Sequence, residues 1–325
     1  MLIGYHAPHE QFSPRELLDL VQLAQAAGFD AAMCSDHFSP WSRRQGHSGF
    51  SWSWLGAALE RTDLSFGTVC APGDRYHPAI VAQAAATLGS MYPGRFWLAV
   101  GSGELLNEHI TGAPWPPKPQ RNQRLRESAD VIRRLLQGEV VTHHGLVRVD
   151  AAQLYELPGE PLPLYAAALT PETAEWAGGW ADGLIIAGTD PDAARPLFEA
   201  FRRGGGAGKP IAVQVAIAYG ATENEAMDAA YDQWRHAALG PDRLANLPSP
   251  DAFDAEAEQV TREDLRDTVF VSPDLDGRVE LLAGYAELGA AAVYVHNVAR
   301  DQRGGIEAHR RSVLPSMRSV RVASD

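Results

Sequence analysis

The 325-residue chain has two cysteines, Cys34 and Cys70, and two lysines, Lys118 and Lys209. Both cysteines sit inside apolar, strand-like runs, which predicts two buried thiols rather than a disulfide or a metal pair. With so little lysine and a net charge of −13 there is no basic footprint for nucleic acid. Arginine supplies nearly all the positive charge, so an anion site here is expected to use arginine or backbone amides. No apolar stretch approaches the roughly 20 residues of a membrane span. The start, MLIGYHAPHEQF, lacks the basic residues and cleavage site of a signal peptide, so a cytoplasmic globular chain with no membrane partner is expected. No Walker loop, nucleophile elbow or GxGxxG follows a candidate strand, which argues against Rossmann-type nicotinamide binding and against acyl transfer.

What the chain does have is alternation. Eight short β-like runs, Leu2 to His6, Ala31 to Ser35, Ser65 to Ala71, Arg95 to Val100, Leu162 to Ala168, Gly183 to Ala187, Ile211 to Tyr219 and Ala291 to His296, alternate with helix-period segments. Pro14 to Ala27 is one such segment, with Ser13 as N-cap, Pro14 in the first turn and Gly28 as the stop. Eight alternations without a composition break predict an α/β chain folded as one closed (β/α)8 TIM barrel over residues 1–325, rather than an open doubly wound sheet. Three insertions, 36–51, 104–121 and 240–268, exceed ordinary loop lengths. Two of them follow strands, which puts them on the C-terminal face where such barrels keep their chemistry. Residues 139–157 read as a hairpin about His144-Gly145 with no catalytic role.

Two strand ends carry candidate chemistry. In CSDHFSPW, residues 34–41, Asp36 and His37 end the second strand, and a histidine there can act as general base with a carboxylate beside it. Capping of the next helix is the plain alternative. In AVGSGE, residues 99–104, two glycines allow close backbone approach to a flat ligand and Glu104 shares the rim with His37. Trp41 is a candidate wall for a ring or substrate, while Trp52 and Trp54, at helical spacing, read as core. Gly67 leaves room for a bulge or a strained peptide beside a planar ligand. His6 and His9 are three apart in an extended segment and so point to opposite faces, which counts against a metal pair.

These residues, with RYHPAIVAQAAATLGSMYPGRF, GSGELLNE and VYVHN, are familiar in combination. The chain resembles the luciferase-like superfamily of flavin and deazaflavin oxidoreductases, and within it the glucose-6-phosphate dehydrogenases that use the deazaflavin coenzyme F420. The resemblance implies a ring held at the mouth of the barrel and hydride transfer with a small alcohol or carbonyl substrate. His37 would be the base, Glu104 the proton donor and Trp41 the wall beside the substrate. Glu10 would line the pocket. Asp36, Ser102 and Gly103 would contact the cofactor, and Thr68 and Val69 would form a non-proline cis peptide under the ring. Ala168 and Leu169 occupy the turn expected around the cofactor phosphate, where the family carries two glycines. That replacement, and the scarcity of lysine, tilts the expectation from F420 towards FMN. The lysines expected to bind a sugar phosphate are missing as well, which counts against glucose 6-phosphate. An FMN-dependent monooxygenase and a non-catalytic flavin-binding barrel are the alternatives, and a homodimer is expected from the relatives.

Overall fold

The computed structural model describes residues 1–324; Asp325, the last residue of the expected domain, lies outside them. Eight strands form the sheet: β1 (Leu2–Ala7), β2 (Ala31–Ser35), β3 (Ser65–Cys70), β4 (Phe96–Val100), β5 (Leu164–Ala167), β6 (Gly183–Ala187), β7 (Ile211–Ala218) and β8 (Ala292–Asn297). Every neighbouring pair is parallel, β8 lies beside β1, and pairing of β6 with β7 closes the ring. This is the expected (β/α)8 TIM barrel. A further two-residue strand, Phe270–Val271, pairs in parallel beside the end of β7.

The principal helices between strands are α1 (Pro14–Ala27), α2 (Ser51–Arg61), α3 (Pro78–Met91), α4 (Lys118–Leu136), α5 (Pro171–Gly178), α6 (Pro191–Phe201), α7 (Glu223–Trp234) and α8 (Leu275–Glu287). The ends of α1 follow from its sequence. The Ser13 hydroxyl accepts from the Glu16 N–H while the Glu16 carboxylate accepts from the Ser13 N–H, and Gly28 closes the helix at φ 97°. Among the described residues no helix is long and apolar enough to cross a membrane.

Strand alternation sorts the side chains into two layers. One face of the strands packs on the helices, and the other fills the barrel with Met33, Ala99, Ile185, Tyr294, Trp97 and Tyr165. The Trp97 and Tyr165 rings lie 5.0 Å apart, and Trp97 Nε1 donates to the Tyr294 hydroxyl at 3.2 Å. Gly67 belongs to this plug. A Cβ there would fall 1.9 Å from the Trp97 ring. The glycine therefore makes room for a core tryptophan and not for a bulge or a bound ring.

The insertions are more ordered than loops of their length. Residues 240–268 fold into short helices, Pro241–Asn246 and Pro250–Glu256, followed by two single turns. These are too short to show helical periodicity in sequence. The segment from 104 holds the helix Leu105–Glu108 and runs into α4. Val141–His144 pairs antiparallel with Arg148–Ala152, as the hairpin reading anticipated.

Candidate active site

A cavity of about 490 Å³ opens at the C-terminal ends of the strands. It is lined by Glu10, Asp36, His37, Trp41, Val69, Ser102, Gly103, Glu104, Ala168 and Leu169, which are all but one of the expected site residues. The exception is Thr68. Alternation turns it away from the barrel interior, where its hydroxyl donates to the Cys34 carbonyl at 3.2 Å. The described residues contain no cis peptide, which corrects the expectation for Thr68 and Val69. Both residues stay in register with their neighbours, Thr68 opposite Leu98 and Val69 opposite Ala99, and a regular ladder is built from trans peptides.

The cavity is organised around a line of three ionisable groups. His37 Nδ1 lies 2.9 Å from Glu10 Oε1, and His37 Nε2 lies 3.7 Å from Glu104 Oε2. Each comes from a different strand end: Glu10 after β1, His37 after β2 and Glu104 after β4. Burial opposes charge on the imidazole, but the Glu10 carboxylate beside it, with Glu104 behind, raises His37 above its ordinary value. Burial also works against Glu10, yet His37 and the Ser35 hydroxyl together hold it well below the usual carboxylate range. Glu104 moves the other way. Burial, helped by the negative charge of Glu10, raises it in spite of His37. Two carboxyls on one histidine are thus driven apart, one towards permanent charge and one towards carrying a proton.

Asp36 reaches the cavity wall with its carboxylate already engaged. It accepts from Ser51 Oγ at 2.7 Å, from the Tyr76 hydroxyl at 3.2 Å and from Arg75 at 3.2 Å. Arg75 in turn lies 3.7 Å from Glu108, whose carboxylate accepts the backbone N–H groups of Asp74 and Arg75. Asn107 ties the two rim segments together. Its Oδ1 accepts from the N–H groups of Phe38 and Ser39, and its Nδ2 donates to Glu104 Oε2 at 3.3 Å. Trp41 meets the His37 ring edge-on at 5.1 Å and stacks on His236 at 5.4 Å, while Phe253 from the 240–268 segment packs against its edge. His6, on β1, and His9, in the turn that follows it, point apart. His6 lines the cavity and lies 4.2 Å from the His296 ring, whereas His9 turns to Trp54 and the Gly49 carbonyl.

Several lining residues carried no individual signal in sequence: Arg75, Arg121, Gln214 and His236. His296 did carry one, since Ala292, Tyr294 and His296 alternate along β8 and share the inward face. Asn107 stands three residues after Glu104 in GSGELLNE, a spacing that puts the two side chains on one side of a helical turn.

The residues also fit a phosphate-bearing planar cofactor. The ends of β3 to β6 present small side chains, among them Ala71, Ala167 and Ala187, and Gly103 holds φ 82° where a Cβ would lie 3.4 Å from Ala71. Beside them Arg121 is almost fully buried, with its Nε lacking a partner, and Lys118 lines the same wall.

A model of the luciferase-like monooxygenase family matches residues 1–292. The F420-dependent glucose-6-phosphate dehydrogenase of Nakamurella multipartita is 37% identical over 98% of this chain and 96% of its own length. That of Mycolicibacterium smegmatis is 36% identical over 98% of each. A solved F420-dependent secondary alcohol dehydrogenase, in complex with an F420-acetone adduct, superposes with a TM-score of 0.89 at 30% identity, covering 97% of this chain and 98% of that one. A coenzyme F420-dependent tetrahydromethanopterin reductase from Methanopyrus kandleri shares the fold, with a TM-score of 0.77 at 20% identity. With its closed barrel and these matches, the chain belongs to the luciferase-like family and is one of its oxidoreductases.

Proposed function

We propose that this protein is a deazaflavin-dependent dehydrogenase that oxidises a small alcohol to a carbonyl compound, or runs the reverse reaction, with His37 as base and Glu104 as proton donor. The observation that carries this reading is the line Glu10, His37, Glu104 at the mouth of the cavity. When bound, the ring supplies a two-electron hydride acceptor. His37 Nε2, the imidazole nitrogen away from Glu10, takes the hydroxyl proton as the carbinol C–H bond breaks and the C=O bond forms. Glu10 stabilises the imidazolium that results. Glu104 Oε2 holds the proton that balances the transferred hydride. Trp41, fixed between His37, His236 and Phe253, keeps the reacting carbon from water and in line with the base.

F420 is favoured over the FMN anticipated from the sequence. The named relatives above 30% identity, matched over nearly their whole length, are F420-dependent enzymes. One of the two features that pointed to FMN, the scarcity of lysine, also loses its force. One of the two lysines, Lys118, lines the cavity together with Arg121. Ala168 and Leu169 both line the cavity, so the replacement of the two glycines stands as the one feature on the FMN side.

The test is titration of the purified chain with F420 and with FMN, followed by turnover of an alcohol with the preferred cofactor. Tight F420 binding with loss of the oxidised deazaflavin absorbance on adding alcohol is expected. His37→Asn should lower kcat by about 100 to 10,000 fold with cofactor affinity unchanged. Equal turnover by this variant at saturating substrate would remove His37 from the mechanism.

A further inference from the structure

The charges lining the cavity are segregated around the barrel. Its cations are Arg75, after β3, and Lys118 and Arg121, on α4 between β4 and β5. The opposite wall, built by the segments after β7 and β8, by 240–268 and by Trp41, has no arginine or lysine among its lining residues. It offers Trp41, Trp234, Gln214, His236 and His296, and the exposed carboxylate of Asp267 stands at its edge. Burial pushes His236 down to about 3 and His296 down to about 4, so at neutral pH both rings are uncharged. His236 Nδ1 and His296 Nε2 are buried and lack hydrogen-bond partners, while Gln214 pairs with the other nitrogen of His296 at 3.1 Å.

The wall that His37 faces is therefore polar, aromatic and without positive charge. A phosphate or carboxylate entering it would lose its hydration against neutral rings and one carboxylate, with no arginine or lysine to compensate and with the charge on His37 already balanced by Glu10. A hydroxyl or carbonyl group, in contrast, brings no charge that needs compensating there. We propose that the substrate is an uncharged alcohol or carbonyl compound, seated against the neutral aromatic wall of Trp41, Trp234, His236 and His296, and that Asp267 helps to exclude phosphorylated substrates. This deepens the proposed dehydrogenase reading and rests on it for the direction in which the substrate sits.

A matched pair of probes isolates the charge: cyclohexanol and a phosphate monoester of cyclohexanediol. Binding to the chain without cofactor is read by quenching of tryptophan fluorescence, since Trp41 and Trp234 line the wall. Turnover is read as kcat/KM with F420. Cyclohexanol is expected to be favoured by at least about 100 fold in both arms. Asp267→Lys should narrow that ratio through tighter binding of the phosphate ester; Thr189 donates only to the Asp267 backbone carbonyl, so that bond survives the change. Equal or better binding and turnover of the phosphate ester by the unaltered chain would overturn the proposal. If neither alcohol reduces F420, the cofactor reading falls, and the fluorescence arm still decides for or against an uncharged substrate.

Discussion

His37 has two carboxyl neighbours, and they do different work. Glu10 sits at 2.9 Å on the Nδ1 side and keeps its charge; Glu104 sits at 3.7 Å on the Nε2 side and is raised towards its protonated form. A raised histidine stays protonated to higher pH, so alcohol oxidation, which needs the neutral base, should rise with pH through a midpoint above the ordinary histidine value of about 6.5. Glu10→Gln removes the charge that holds the proton. The acidic limb of kcat/KM is then expected to move to lower pH, and a limb left in place would separate Glu10 from the base. The same linkage bears on stability. The Glu10 contribution is present above the ordinary glutamate range and is lost as pH falls through its depressed value. The contribution of His37 is present below its unfolded value and is lost as pH rises through its raised one. Of this centre the sequence showed His37 and Glu104 as two strand ends on one rim. Glu10 came only with the family resemblance, because it follows β1 in a stretch with no periodic signal.

At the level of elements, the site depends on how the segments after β2 and β4 are tied. Asn107 accepts two N–H groups of the residues that follow His37 and donates to Glu104, so one amide sets the spacing of His37 and Glu104. Asn107→Ala should leave those N–H groups without their acceptor and cost about 1 to 3 kcal/mol in a denaturant titration. With it, kcat should fall more than substrate affinity, since the change misplaces Glu104 rather than emptying the pocket. A loss confined to stability would limit Asn107 to a structural role. Strands and long helices were legible because each shows a clean period and a clean stop, as Ser13 and Gly28 do for α1. The helices inside 240–268 were not, for a helix such as Pro241–Asn246 spans less than two turns. Gly67 misled for a related reason. Its neighbour Trp97 is across the sheet on β4, and no local pattern announces that contact.

Over the whole molecule, the closed ring gathers ionisable groups from strands far apart in the chain and leaves the two halves of the cavity with different charge. The chain carries a net charge of −13, so an acidic cofactor tail would be repelled in general and attracted where Lys118 and Arg121 stand. Arg121→Gln is therefore expected to weaken F420 more than FMN, since the deazaflavin's polyglutamate tail adds carboxylates to the phosphate. Added salt should narrow the difference as these contacts are screened. Equal loss for both cofactors, measured by titration, would assign Arg121 to the phosphate alone. Counting lysines over the chain pointed the other way, because composition does not say that one of only two is folded into the site.

The central claim is direct hydride transfer from an alcohol carbon to the bound deazaflavin ring. It is tested by a single turnover of the F420-loaded protein with cyclohexanol deuterated at its carbinol carbon, followed by mass analysis of the reduced cofactor. Deuterium carried into the reduced ring is the result expected here. Deuterium released to water, or turnover that proceeds only with consumption of oxygen, would contradict it.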